Sequence, residues 1–150
     1  MAHDQQLFSH FEELFWQVSR DMSYIWKRIF EQQFPGSQSY IVFLLERKGP
    51  QKMSDLAESL RLTPGAVTIA SDKLIEQGFI ERLRDNDDRR VIYLQITDKG
   101  KETLEQLRDQ GRKAMKAVFS NLSNTDLQHL IKTFELAANN MNEIRGDLSK

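Results

Sequence analysis

A mainly α fold carrying one small β-hairpin, with long helices at both ends of the chain, is what this sequence predicts. Three observations predict it. Apolar residues recur at intervals of three and four over most of the 150 residues, the period of helices that each bury one face. Between Phe79 and Ile96 the pattern changes: FIERLR and VIYLQI are rich in β-branched and aromatic residues and flank the charged run DNDDRR, as in a hairpin with a polar tip. Glycine and proline number 7 and 3, and they punctuate the ends of the helical stretches.

The first helix runs from roughly Asp4 to Phe34. Leu7, Phe11, Leu14, Val18, Met22, Ile25 and Ile29 form one apolar row, and Phe8, Phe15, Trp26 and Phe30 form a second beside it. That surface is wider than packing against one core requires, so part of it is expected to pack against a second copy of the chain. Phe34-Pro35-Gly36-Ser37 breaks the helix, and Ser37 can cap the next. Tyr40, Ile41, Phe43, Leu44 and Leu45 make that second helix apolar on most sides and hence buried, and Lys48-Gly49-Pro50 ends it. Residues 51 to 53 can add a short third strand to the hairpin. Ser54 and Asp55 suit the first turn of a third helix, although Lys52 or Met53 would be a poor N-cap.

The stretch from Leu56 to Thr97 is the most informative. Leu56, Ala57 and Leu60 are the inner face of a short helix, and Arg61-Leu62 is a break. Thr63 is a good N-cap for the next helix, and Pro64 sits at its first position, where the missing N–H costs nothing. Val67, Ala70 and Leu74 then face inward, with Thr68, Ser71, Asp72 and Lys73 outward, and Gly78 closes the helix by taking positive φ. Two helices joined by so short a turn form a helix-turn-helix, whose second helix enters the DNA major groove. The hairpin directly after it makes a winged helix. Thr97 caps a further helix with Asp98 behind it, with Leu104, Leu107, Gly111, Met115 and Val118 inward as far as about Phe119. Ser123 and Asp126 then form a capping box for a last helix, whose seam is Leu127, Leu130, Ile131, Phe134, Ala137, Ala138, Met141, Ile144 and Leu148. The expected organisation is a dimerisation helix over 1–34, a winged helix-turn-helix over 35–97 and helices completing the dimerisation layer over 98–150, all within one structural domain.

Composition narrows the possible functions. There are 21 basic and 22 acidic residues, a net charge of −1, which argues against a non-specific nucleic-acid binder but leaves local basic surface open. From Arg61 to Arg90 the six basic residues (Arg61, Lys73, Arg82, Arg84, Arg89, Arg90) are matched by six acidic ones (Asp72, Glu76, Glu81, Asp85, Asp87, Asp88), so any positive face must come from geometry. With no cysteine there is no disulfide, no thiol switch and no Cys-ligated zinc. No secretion signal and no apolar run of about 18 residues occur, so a cytoplasmic protein with no membrane partner is expected. His3, His10 and His129 are scattered. His10-x-x-Glu13 places one acid beside one histidine on a helix, a pair that arises often by chance. No phosphate-cradling loop and no strained-turn serine are present, so neither an enzyme nor a metal or other cofactor is expected.

Gly78-Phe79-Ile80-Glu81-Arg82, then Asp88-Arg89-Arg90, then Leu94-Gln95-Ile96-Thr97 with Gly100 resemble the signature of the MarR (multiple antibiotic resistance regulator) family. The resemblance implies a two-fold dimer with a winged helix on each side. It also implies a DNA-binding repressor that reads an inverted repeat in double-stranded DNA and is relieved by a small aromatic or organic-anion effector. In the recognition helix the candidate DNA contacts are Thr63, Gly65, Ala66, Thr68, Ile69, Ser71 and Lys73: a tip without bulk, hydroxyls for base edges or phosphates, and a cation. In the wing they are Arg82, Arg84, Asp88, Arg89 and Arg90. By resemblance Asp88 orients the hairpin by pairing with arginine, and Arg90 enters the minor groove, where narrow A·T tracts attract arginine. Ile69 departs from the family, in which a basic residue is usual there; an apolar side chain reads a thymine methyl, not guanine. Phe11, Phe15, Trp26, Tyr40 and Phe43 are the candidates for lining an effector pocket, against a plainer role in the core. The alternative function is a winged-helix module that binds protein rather than DNA, favoured by the acidic balance and by Ile69.

Overall fold

The computed structural model describes residues 1–150, the side chain of Ala2 excepted. Its elements in chain order are α1 (Ala2–Glu31), α2 (Gln38–Lys48), β1 (Gln51–Lys52), α3 (Met53–Leu60), α4 (Pro64–Glu76), β2 (Ile80–Arg84), β3 (Ile92–Ile96), α5 (Asp98–Val118) and α6 (Asn124–Leu148). Two compact units, Met1–Ala114 and Met115–Lys150, divide the chain within α5. The division follows burial, since Gly111 is the last buried residue.

In the first unit the core gathers Phe34, Ile41, Leu45, Leu56, Leu74, Ile80, Leu94 and Leu104, each less than 2% exposed. Only the C-terminal end of α1 joins it, through Ile29 and Phe30, with Ile25 and Trp26 packed alongside. The helix stops at Glu31 rather than Phe34, because the residue before Pro35 is pushed out of the helical region. Phe34 instead turns inward, its ring edge-on to Phe79 with centroids 4.9 Å apart. Ser37 stands at the N-cap of α2, yet its backbone is already helical and its hydroxyl caps nothing. Tyr40, expected among the buried residues of α2, is 63% exposed: the inward stripe falls on Gln38, Ile41, Val42, Leu44 and Leu45, and residue 40 lies off it.

The three strands order as β1-β3-β2, all antiparallel. Lys52 and Tyr93 pair across β1 and β3, and Arg82 and Leu94 pair across β2 and β3. Lys52 does occupy the N-cap of α3 without a side-chain bond. Arg61 ends α3 in the left-handed conformation, φ +53°, which turns the chain sharply toward α4. Gly78 follows α4 at φ +79°, a conformation that costs a residue with a Cβ and costs glycine nothing. Thr97 then ties the sheet to α5. Its hydroxyl donates to Gly78 O at 2.6 Å and accepts from Gly100 N at 3.1 Å, capping the helix. Arg108 forks onto Glu46 with bonds of 3.0 and 2.5 Å, joining α5 to α2.

In the second unit, Ser123 and Asp126 make the expected capping box at the start of α6. No residue of α6 is buried. Met115 and Val118, expected on an inner face, are 49% and 51% exposed, because the buried stripe of α5 consists of Gly100, Leu104, Leu107 and Gly111.

Gly100 is required by packing. A Cβ built there would lie 2.3 Å from Phe79 O and 2.7 Å from Ile96 Cγ1, with backbone as the nearer obstacle. Gly100→Ala is therefore expected to destabilise the protein by about 1–3 kcal/mol, read by urea unfolding at fixed protein concentration. A variant as stable as the wild type would contradict this packing of α5 on the sheet.

Candidate nucleic-acid interface

Local sequence builds α4. Thr63 Oγ1 accepts from Ala66 N at 3.1 Å, and Pro64 starts the helix. Val67, Ala70, Ser71 and Leu74 are buried, one stripe at spacings of three and four. The opposite face exposes Gly65, Thr68, Ile69, Asp72 and Lys73, with Ala66 half-buried between. Ser71, taken from its polar side chain as an outward contact, is fully buried. Helix phase decides this: residue 71 lies one turn beyond Val67, and serine is small enough to fit the seam. Its Oγ is buried, without a hydrogen-bond partner among the described residues, and burial keeps it from an outside surface. Ile69 is 62% exposed and packs on nothing that covers it. Thr68 keeps its hydroxyl hydrogen within the helix, donating to Pro64 O at 3.0 Å.

The wing tip closes through its own aspartates. Asp85 Oδ1 accepts from Asp87 N at 3.1 Å, and Val91 N donates to Asp88 O at 3.0 Å. Asp88 holds Arg90 at three points: Oδ1 accepts from Arg90 N at 3.0 Å and from Nε at 3.1 Å, and Oδ2 accepts from Nη2 at 3.3 Å. The side-chain bond from Arg90, and then its backbone N–H, hold the Asp88 carboxyl below the ordinary aspartate range. Arg90 nevertheless keeps 91% of its side chain in solvent. Lys73, Arg84 and Arg89 form no ion pair among the described residues, and neither do Glu81, Asp85 and Asp87 of the wing.

One contact was not legible in the sequence. Arg82 of β2 donates to Asp72 of α4. The two residues lie ten apart across the Gly78 turn, and only the folded hairpin brings them together. Their pairing joins the exposed face of the helix to the exposed face of the wing strand. It also engages Arg82 within the protein, a constraint on its expected role toward phosphate.

The five aromatic candidates do not converge. Trp26 stacks on Phe30 with centroids 5.6 Å apart, and Phe30 meets Phe43 edge-on at 5.0 Å, so Trp26 and Phe43 belong to one row packed on the core. Phe11 and Phe15 form a separate pair at 6.0 Å, both exposed, and Tyr40 stands apart. The clefts observed are lined otherwise: one by Gln5, Gln6, Ser9, His10 and Glu13, the other, of about 460 Å³, chiefly by Glu46, Glu81, Gln95, Asp98 and Lys101. Among the described residues no three histidine, aspartate or glutamate side chains converge as a metal site, and no helix is long and apolar enough to cross a membrane.

Comparison with known proteins gives a consistent picture. The MarR family pattern matches residues 37–92, which run from α2 through the wing tip. The uncharacterised HTH-type transcriptional regulator YkoM of Bacillus subtilis is 35% identical over 101 residues, 67% of this chain and 66% of its own length. The HTH-type transcriptional repressor MdtR of the same organism is 37% identical over 81 residues, 54% of this chain and 52% of its own. This chain thus spans somewhat less than two thirds of the first relative and about half of the second. The crystal structure of YusO from B. subtilis superposes with a TM-score of 0.72 at 31% identity, covering 89% of this chain and 96% of that one.

The clamp at the wing tip is open to direct measurement. Followed by NMR against pH, the Asp88 carboxyl should titrate below the ordinary aspartate range in the wild type and move up toward that range in Arg90→Ala, which loses the side-chain bonds and keeps the backbone one. Since the folded-state pKa is the depressed one, the clamp is complete above the ordinary value and is lost as pH falls through the lowered midpoint. An unchanged midpoint in the variant would show that Arg90 does not hold the carboxylate.

Proposed function

Because the chain belongs to the MarR family, we propose that it acts as a homodimeric, sequence-specific DNA-binding regulator of transcription, a repressor relieved by a small aromatic or organic-anion effector. The observation that carries the reading is the Asp72–Arg82 pair, which joins the outward faces of α4 and the wing into one continuous surface. Such a surface suits a helix in the major groove with an arginine-bearing hairpin beside it on the backbone and minor groove. On this reading Thr63, Gly65, Ala66, Thr68, Ile69 and Lys73 approach the groove. Arg84 and Arg89 lie along phosphates, and Asp88 presents Arg90 to the minor groove. Arg82 reaches phosphate only with donors that Asp72 leaves free.

The dimer is supported by apolar surface. Leu7, Phe8, Phe11, Leu14, Phe15, Trp16 and Val18 on α1 are all more than a third exposed, as are Leu127, Leu130, Ile131, Phe134, Leu136, Met141 and Ile144 on α6. Monomers rarely leave patches of this kind to water. A second copy covering them would set two recognition helices about one DNA turn apart. The name of MdtR supports the repressor role. The effector element rests on the family. A ligand would work through unequal affinity for the two dimer states.

Titrating the full chain against its own upstream region, by gel shift or fluorescence anisotropy, tests the proposal. Saturable binding should weaken steeply as salt rises, through counterion release. Arg90→Ala should lower affinity about tenfold and leave the unfolding midpoint unchanged. No saturable binding at low salt would sink the DNA reading in favour of a protein-interaction module, and unchanged affinity in the variant would remove the wing from the interface.

A further inference from the structure

We propose that Ile69 makes the C5-methyl group of thymine a base feature this protein recognises in the major groove, so that each half-site carries a thymine beneath that side chain. The inference rests on the DNA-binding reading above and deepens it.

The chemistry that α4 turns outward is narrow. Gly65 has no side chain, and a Cβ built there would meet nothing within 4 Å, so the fold itself does not demand glycine at the tip. Glycine in a helix costs stability relative to alanine, and what it offers here is close approach. Ala66 adds one methyl. Thr68 has its hydroxyl hydrogen committed to Pro64 O, which leaves outward only lone pairs and a methyl group. Asp72 is an acceptor already engaged by Arg82. From Gly65 through Asp72, therefore, no outward side chain has a free hydrogen-bond donor.

That matters because guanine presents two acceptors in the major groove, O6 and N7, and is read by donors. After Thr63 at the cap, whose hydroxyl accepts from Ala66 N and keeps its hydrogen free, the next free side-chain donor on this face is Lys73, one helical turn beyond Ile69. What residues 65–69 can meet is a methyl group, by contact with the exposed Ile69, or an amino group, by the lone pairs of Thr68. Thymine supplies the first and its partner adenine the second. An A·T pair thus satisfies the face, whereas the guanine of a G·C pair would bury two acceptors opposite an apolar side chain.

The test enriches a pool of randomised duplexes on the full chain and then replaces each thymine of the recovered sequence singly by deoxyuridine, which removes only the methyl group. In each half-site one replacement should weaken wild-type binding about fourfold, the effect of losing one buried methyl-sized group. Ile69→Ala should bind the thymine duplex more weakly by a similar factor and show no further loss with deoxyuridine. Ile69→Val should keep part of the discrimination. The exposed position means that these variants should fold, which circular dichroism checks. If no replacement weakens the wild type, or if Ile69→Ala stays as sensitive as the wild type, the inference is wrong while DNA binding stands. Should no duplex be enriched at all, the DNA-binding reading fails and carries this inference with it.

Discussion

Burial of Val67, Ala70, Ser71 and Leu74 decides what every other residue of α4 can do. Once that stripe is fixed against the core, helix geometry leaves Gly65, Thr68, Ile69, Asp72 and Lys73 outside. The wing is placed by the same packing. Phe79 and Ile80 are buried immediately after α4, Phe79 against Phe34, so the hairpin leaves the core at a set point and brings Arg82 to Asp72. Thr97 and Gly100 lock the far side of the sheet to α5 with one hydroxyl and one missing methyl group. Helix and hairpin are therefore aimed by one core rather than by a flexible connection.

Charge is distributed sparingly over this surface. Asp72 takes up Arg82 and Asp88 takes up Arg90, while Lys73, Arg84 and Arg89 are left without carboxylate partners. Exposed ion pairs of this kind contribute little to stability. Their use is positional: a guanidinium held by a carboxylate samples fewer rotamers than a free one, and it still presents its remaining donors. For the proposed DNA complex, this arrangement trades some attraction for a defined orientation.

What the sequence made legible were features settled by near neighbours. The Thr63 cap, Pro64 at the helix start, the Gly78 turn and the Ser123–Asp126 box all depend on residues a few positions apart, whereas the pairing of Asp88 with an arginine is implied only by the family resemblance and the fold identifies that arginine as Arg90. The short strand over Gln51–Lys52 was readable because it completes the hairpin's sheet. Ser71 is polar yet buried, because helix phase outweighs side-chain polarity in placing it. Asp72–Arg82 was invisible because it depends on the angle between helix and hairpin. The apolar rows of α1 and α6 announced faces that favour burial, but periodicity does not say what covers them. Most of those side chains are exposed in the subunit, which is why the aromatic candidates Phe11 and Phe15 meet no pocket there.

The proposed assembly accounts for both sets of facts, since a second copy would cover the end helices and double the reading surface. Sedimentation equilibrium of the free 150-residue chain at micromolar concentration tests this most directly. A species of twice the 17.6 kDa subunit mass is the expected result. A stable, well-folded species of single-subunit mass under those conditions would contradict it.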